Sequence, residues 1–386
     1  MRKVCVITGT RAEFGLLHHT IKAIEEDKTL QLQLIATGMH LSPEFGLTYK
    51  DIENAGFTID KKIEILLSSD TPVGISKSMG LAMISFSEAF AELKPDIILV
   101  LGDRFEIFSA VSAAMIARIP VAHCHGGEAT EGLIDEAIRH SITKMSQIHF
   151  CATEIYKKRI IQLGETPNKV FNIGALALEN ILKLKLLSKE DFETSINFKL
   201  DKKYTFLVTF HPVTLEKATS AVQTQQLLNA LDKIDNCKII FTKSNSDTDG
   251  RIVNQMIEEY VAKNSSKAVC FTSLGQLRYL SALQYVDAMI GNSSSGIVEA
   301  PSFKIATVNI GDRQRGRIMA ESVIQCDSSS QDIEAAINKA ISSEFKTLLK
   351  TVENPFKGVD APSEEIVKVL KSIDLEDILK KPFYDL

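Results

Sequence analysis

Short, almost wholly apolar runs alternate with longer amphipathic ones through most of the chain. In the first half the apolar runs are 4–7, 30–36, 97–101, 120–124, 148–152 and 170–174, with helix-like segments such as 105–118 and 133–145 between them. A strand that is apolar on both faces must be covered on both faces. Repeated strand–helix alternation meets that need with a parallel sheet between two helical layers. The first half therefore reads as one doubly wound α/β domain. The rhythm lapses over 183–204, KLKLLSKEDFETSINFKLDKKY, which is charged and lacks a strong strand signal. Within it Ser188 and Asp191 have the spacing of a helix capping box. The alternation resumes at 205–210, 237–242, 268–272, 286–291 and 305–310. The expected fold class is α/β, with two doubly wound Rossmann-like domains facing a cleft. The expected boundaries are 1–182, a linker 183–204, 205–362, and a terminal helix over 363–386 that packs back toward the first domain. A length of 386 residues suits two domains of roughly 100–200 residues each.

Composition narrows the function. Lys and Arg number 44 against 49 Asp and Glu, a formal charge of −5, which argues against a general nucleic-acid binder. No apolar run approaches the roughly 20 residues of a membrane span. The apolar run near the start is shorter than the roughly 7–15 residues of a signal-peptide core. The six cysteines, at 5, 124, 151, 237, 270 and 326, include no CxxC pair, and most fall in strand-like runs. They read as buried thiols of a cytoplasmic protein. The expected partner is a small molecule, with neither nucleic acid nor membrane.

In open α/β sheets ligands bind beyond the carboxyl ends of the strands, so residues just after strands carry the most information. TGTRAEFG (8–15) places a turn glycine and Arg11 before a helix, where backbone N–H groups and a guanidinium suit a phosphate. It matches neither the dinucleotide nor the P-loop fingerprint. GDRFE (102–106) brings out Asp103 and Arg104 together, and HPVT (211–214) brings out His211. GNSSSGIVEA (291–300) offers three hydroxyls before a helix, an anion cradle, with Glu299 within reach of a ribose diol. GDRQRGR (311–317) holds three arginines suited to bidentate phosphate contact. Each motif alone also admits a plain reading: a turn, a capped helix, a solvated charge. Their recurrence at successive strand ends of both domains points to a phosphate-bearing ligand in the interdomain cleft.

HCHGGEATEGLIDEAIRH (123–140) is the densest stretch. Its H-x-H lacks the further ligands a metal needs, so no metal is expected. Gly126 and Gly127 suit a sharp turn at the strand end, which leaves His125, Glu128 and Asp135 available for proton transfer.

Taken together, TGTRAEFG, GDRFE, HCHGGEATEGLIDEAIRHSITK, HPVT, GNSSSG and GDRQRGR resemble the UDP-N-acetylglucosamine 2-epimerase family, in its hydrolysing branch, over nearly the whole chain. The resemblance implies the two-domain glycosyltransferase-B architecture. It implies conversion of UDP-GlcNAc and water to N-acetylmannosamine and UDP for sialic acid synthesis, without a cofactor. Members acting on diacetylated bacillosamine sugars in legionaminic acid synthesis look similar. A non-hydrolysing epimerase, a glycosyltransferase and a sensor without turnover remain as alternatives. By the same resemblance Arg11, Ala12, Arg104, His211, Asn245, Ser293, Ser294, Glu299 and Arg313 match nucleotide-contacting positions. Asp103 and Asp135 match acids implicated in the chemistry. Family members commonly read HIEGGE where this chain reads HCHGGE, so His125 stands in the place of a catalytic glutamate. A homodimer or tetramer is the family expectation.

Overall fold

A computed structural model describes residues 1–69, 71–131, 133–212, 219–244 and 250–386. The chain divides into two compact units. The first comprises Met1–Glu128, Asp135–Asn180 and Phe356–Leu386, and the second Ala129–Ile134 and Ile181–Pro355.

In the first unit the strands are β1 (Arg2–Thr8), β2 (Leu30–Thr37), β3 (Lys61–Ile63), β4 (Ile97–Leu101), β5 (Val121–Cys124), β6 (Ile148–Cys151) and β7 (Val170–Asn172). They form a sheet of order β3-β2-β1-β4-β5-β6-β7 in which each described pairing is parallel. Alternate residues feed two cores. Val4 and Val6 of β1 join Ile97 and Leu99 of β4 on one face, while Cys5 and Ile7 join Ile98 and Val100 on the other. The second unit repeats the plan with β8 (Tyr204–Thr209), β9 (Cys237–Thr242), β10 (Ala268–Phe271), β11 (Ala288–Gly291), β12 (Ala306–Ile310) and β13 (Val323–Cys326). Its order is β10-β9-β8-β11-β12-β13, again parallel throughout the described pairings. Phe206, Val208, Ile239 and Phe241 face one core, and Leu207, Ile240 and Met289 the other. Each sheet reverses its strand order once, between β1 and β4 and between β8 and β11.

Two strands were not legible beforehand. β3 and β13 are short edge strands, KKI and VIQC, that bury one face at most. The stretch expected as a linker is ordered and packed. Ser188 caps a helix over Lys189–Ile196 by accepting from the Asp191 N–H at 3.2 Å, and Phe192, Ile196 and Leu200 enter a core of the second unit. The terminal helix is shorter than expected. It spans Pro362–Ser372, and its Ile366, Val367, Val369 and Leu370 join a core of the first unit.

Beyond that helix, the tail is fastened to the first unit. The buried Glu165 carboxylate accepts from Lys144 Nζ at 2.7 Å, from Lys381 Nζ at 2.8 and 2.9 Å, and from His149 Nε2 at 3.0 Å. Lys381 also donates to the Lys144 and Ser146 carbonyls, both at 2.7 Å, and Tyr384 N–H donates to the Gly164 carbonyl at 2.9 Å. Removing one partner of a charge-assisted bond costs about 1.5–3 kcal/mol. Lys381→Ala is expected to lose about that much stability in chemical denaturation and to expose the tail to limited proteolysis. Unchanged protease resistance would show that the tail is held by other contacts.

Candidate functional site

The strand-order reversal places the ends of β1 and β4 side by side in the first unit, a position where doubly wound sheets bind ligands. After β1, Thr10 caps the helix Arg11–Glu26 by accepting from the Glu13 N–H at 3.2 Å. Glu13 reaches back to accept from the Gly9 N–H at 2.6 Å. A Cβ on Gly9 would stand 2.7 Å from Glu106 Cγ, so the glycine admits a second buried carboxyl. Burial and the neighbouring Glu106 raise the Glu13 pKa to about 8, against the pull of Arg104 and the Gly9 N–H. After β4, Arg104 precedes the helix Phe105–Ile116 and donates from Nε to Glu106 at 2.7 Å. Arg11 and Ala12 are exposed on the first helical turn, and Arg11 lies 3.6 Å from exposed Asp51.

The acid cluster is organised by a residue that strand-end reasoning passed over. Arg139, 1% exposed, donates to Asp103 from Nε at 2.9 Å and from Nη2 at 2.5 Å. Its Nη1 donates to the Glu128 carbonyl at 2.9 Å and to Glu136 at 2.7 Å. Burial opposes its charge, but Asp103, Glu128 and Glu136 outweigh that and raise its pKa. Asp135 opens the helix Asp135–Met145, and Arg139 lies one turn along the same face. Burial first, then the Asp103 carboxylate, push Asp135 up to about 6, against Arg104 and Arg139. A carboxyl group poised there can take or return a proton near neutral pH.

His125 differs from the expectation of a free acid–base group. Its backbone is left-handed, φ 65°, and with Gly127 at φ 76° it makes the turn after β5. Its Nε2 accepts from the Leu176 N–H at 3.3 Å, so Nδ1 carries the hydrogen and donates to Glu128 at 2.9 Å. Both nitrogens are engaged, and this geometry supports holding Glu128 rather than shuttling a proton. His123 is committed as well, with Nε2 to the Gly102 carbonyl at 2.8 Å and Nδ1 to Thr143 at 3.3 Å. Among the described residues no cluster of three or more His, Cys, Asp or Glu is placed to hold a metal.

In the second unit the reversal joins the ends of β8 and β11. A Cβ on Gly291, φ 133°, would fall 1.9 Å from the Thr209 carbonyl oxygen, so only glycine lets these strand ends approach. His211 follows β8 and is 6% exposed; burial and Arg313 lower its pKa to about 3, keeping the ring neutral. Ser293 Oγ accepts from the Ser295 N–H at 3.4 Å, and Ser294 is exposed. The helix after them, Ser295–Val298, is only four residues long, and Glu299 ends it with its pKa raised by burial to about 7. Arg313 lies in the turn after β12. Residues Ala129–Ile134 belong to this unit too: Glu131 N–H donates to the Arg315 carbonyl at 3.2 Å, and its carboxylate lies 3.2 Å from Arg315 Nε. The structure thus brings Asp103, Arg104, His125, Glu128 and Asp135 to strand ends of the first unit. It brings His211, Ser293, Ser294, Glu299 and Arg313 to strand ends of the second. Asn245 lies outside the described residues.

The profile of the UDP-N-acetylglucosamine 2-epimerase family matches residues 22–371, and the chain belongs to that family. It is 48% identical to the GDP/UDP-N,N'-diacetylbacillosamine 2-epimerase (hydrolyzing) of Campylobacter jejuni, covering 100% of this chain and 99% of that one. It is 38% identical to polysialic acid biosynthesis protein P7 of Escherichia coli, covering 100% and 98%. Among solved structures, UDP-GlcNAc 2-epimerase of Neisseria meningitidis bound to UDP-GlcNAc superposes with a TM-score of 0.81 at 20% identity, covering 96% of this chain and 100% of that one. That likeness establishes the shared glycosyltransferase-B fold. All six cysteines are free, and no helix of the described residues is long and apolar enough to cross a membrane.

The buried histidines set a pH limit. Burial holds His40 at about 4, His123 and His211 at about 3, and lowers His149. In the unfolded chain each ring takes a proton near pH 6.5. Between that pH and the folded values the unfolded state binds more protons, so stability is full above about 6.5 and falls as pH drops toward 4. Thermal midpoints are expected to decline steeply from pH 6.5 to 4.5. His123→Gln is expected to flatten that slope by roughly one proton, measurable as proton uptake on unfolding; an unchanged uptake would show that His123 is charged in the native state.

Proposed function

We propose that this chain is a hydrolysing 2-epimerase that converts UDP-N,N'-diacetylbacillosamine and water to UDP and the free sugar inverted at C2. The 48% identity over the full chain to an enzyme named for that substrate carries the reading. Motif resemblance alone placed UDP-GlcNAc first; the substrate in that relative's name moves the diacetamido-trideoxy sugar ahead of it. UDP is taken as the nucleotide because the family is defined on UDP sugars.

The side chains suit an elimination followed by hydration. A carboxylate removes the C2 proton as the C1–oxygen bond breaks, and UDP leaves with the bonding electrons, giving a glycal. Water then adds its hydroxyl to C1, and a proton returns to C2 on the opposite face. We assign the two proton transfers to Asp135 and Asp103, because Asp135 is raised to about 6 beside Asp103 and Arg139 fixes Asp103. Glu128 stays in the set as a group oriented by His125. Arg11, Ala12, Arg104, His211, Asn245, Ser293, Ser294, Glu299 and Arg313 are assigned to the nucleotide. The arginines and the neutral His211 would stabilise charge on the departing diphosphate.

NMR of the products is the direct test. With the diacetamido substrate in heavy-isotope water, the product is expected to carry deuterium at C2 and labelled oxygen at C1, with none in UDP. Turnover of UDP-GlcNAc alone would return the substrate to the sialic acid reading, and labelled oxygen in UDP would mean P–O cleavage. Asp135→Asn is expected to lower kcat by about 10²–10⁴, the usual span for a general acid or base. The acid limb of kcat in the parent enzyme is expected near pH 6, since the carboxylate must be ionised to accept the proton. His125→Ala, with no proton to transfer, is expected to cost less than Asp135→Asn. An equal or larger loss would give the imidazole the proton-transfer role.

A further inference from the structure

Asn292 stands at the strand-order reversal of the second unit and is 1% exposed. Its side-chain amide clasps both backbone groups of His211: Oδ1 accepts the His211 N–H at 2.7 Å, and Nδ2 donates to the His211 carbonyl at 2.7 Å. Its own N–H donates to the Thr209 carbonyl at 3.1 Å. Its own carbonyl accepts from Arg313 Nη1 at 3.1 Å and from Gln314 Nε2 at 2.8 Å. The ends of β8 and β11 and the turn after β12 therefore meet at one buried residue. From this geometry we infer that Asn292 is a positioning residue for diphosphate recognition, holding His211 and Arg313 in a single preset arrangement.

The chemistry is specific to an amide. Only a group that donates and accepts at once can satisfy a backbone N–H and C=O together. An aspartate of the same shape would keep the first bond, set two oxygens against each other at the second, and bring a negative charge to the anion-binding loops. Alanine would release both. Position matters here because His211 is neutral and must act through a directed N–H rather than through charge. Arg313, bonded from Nη1 to the Asn292 carbonyl, is likewise directed.

The inference rests on the UDP-binding reading above, and the test separates the two. UDP and uridine, which lacks the phosphates, would be titrated by NMR into the full-length protein, Asn292→Ala and Asn292→Asp. Asn292→Ala is expected to weaken UDP by about tenfold or more while uridine stays within about twofold, one broken directed contact being worth about a decade of affinity. Asn292→Asp, close in shape and usable even where the alanine variant fails to fold, is expected to weaken UDP further and again to spare uridine. Equal losses for UDP and uridine would overturn the inference and leave Asn292 a scaffold residue only. Unchanged UDP affinity in both variants would overturn it as well. Failure of the parent protein to bind UDP would instead remove the functional reading on which it rests.

Discussion

Every central strand of this protein is buried on both faces. In β1 and β4 successive residues alternate between two cores, and β8 and β9 do the same in the second unit. An unpaired polar group placed mid-strand would be stranded in apolar surroundings at a cost of several kcal/mol (roughly 2–7 for an amide or hydroxyl). Chemistry is thereby confined to the strand ends, and most of all to the two places where strand order reverses. Asp103, Arg104 and Glu13 sit at one reversal, and His211, Asn292 and Ser293 at the other.

Confinement creates an electrostatic problem that each unit solves differently. The first gathers carboxyl groups: Glu13, Asp103, Glu106, Glu128, Asp135 and Glu136. One buried guanidinium, Arg139, offsets Asp103 and Glu136, and Arg104 offsets Glu106. Burial first, and the neighbouring carboxyl groups second, raise the proton affinity of Glu13 and Asp135. Asp103 is ion-paired with Arg139, while burial raises Asp135 beside it to about 6, so two neighbouring carboxyl groups stand in different environments, as an acid–base pair does. The second unit gathers donors instead: backbone N–H groups, hydroxyls, a neutral imidazole and an arginine, organised by Asn292.

Three histidines are spent on structure: His40, His123 and His149 sit wholly inside the first unit. His123 ties β5 to the end of β4, and His149 helps hold Glu165 and through it the C-terminal tail. In such places a neutral ring provides one donor and one acceptor without bringing charge into the core.

Sequence alone determined the fold class, because hydrophobic periodicity is a local property and burial on both faces leaves it nearly continuous. It also singled out the candidate site residues, since ligands bind beyond strand ends in such sheets and strands were readable. The edge strands β3 and β13 escaped, being too short and too polar to show a period. Arg139 and Asn292 escaped for another reason: each lay inside a motif already noticed, but its role depends on partners far along the chain, Asp103 in one case and His211 and Arg313 in the other. His125 shows the same limit from the other side. Its spacing after β5 suggested a reactive imidazole, but the Leu176 N–H, 51 residues away in sequence, occupies the nitrogen that would accept the proton. Spacing fixes which residues reach a strand end. Which of them is left free there is decided by hydrogen bonds from distant segments, and those exist only once the chain has folded.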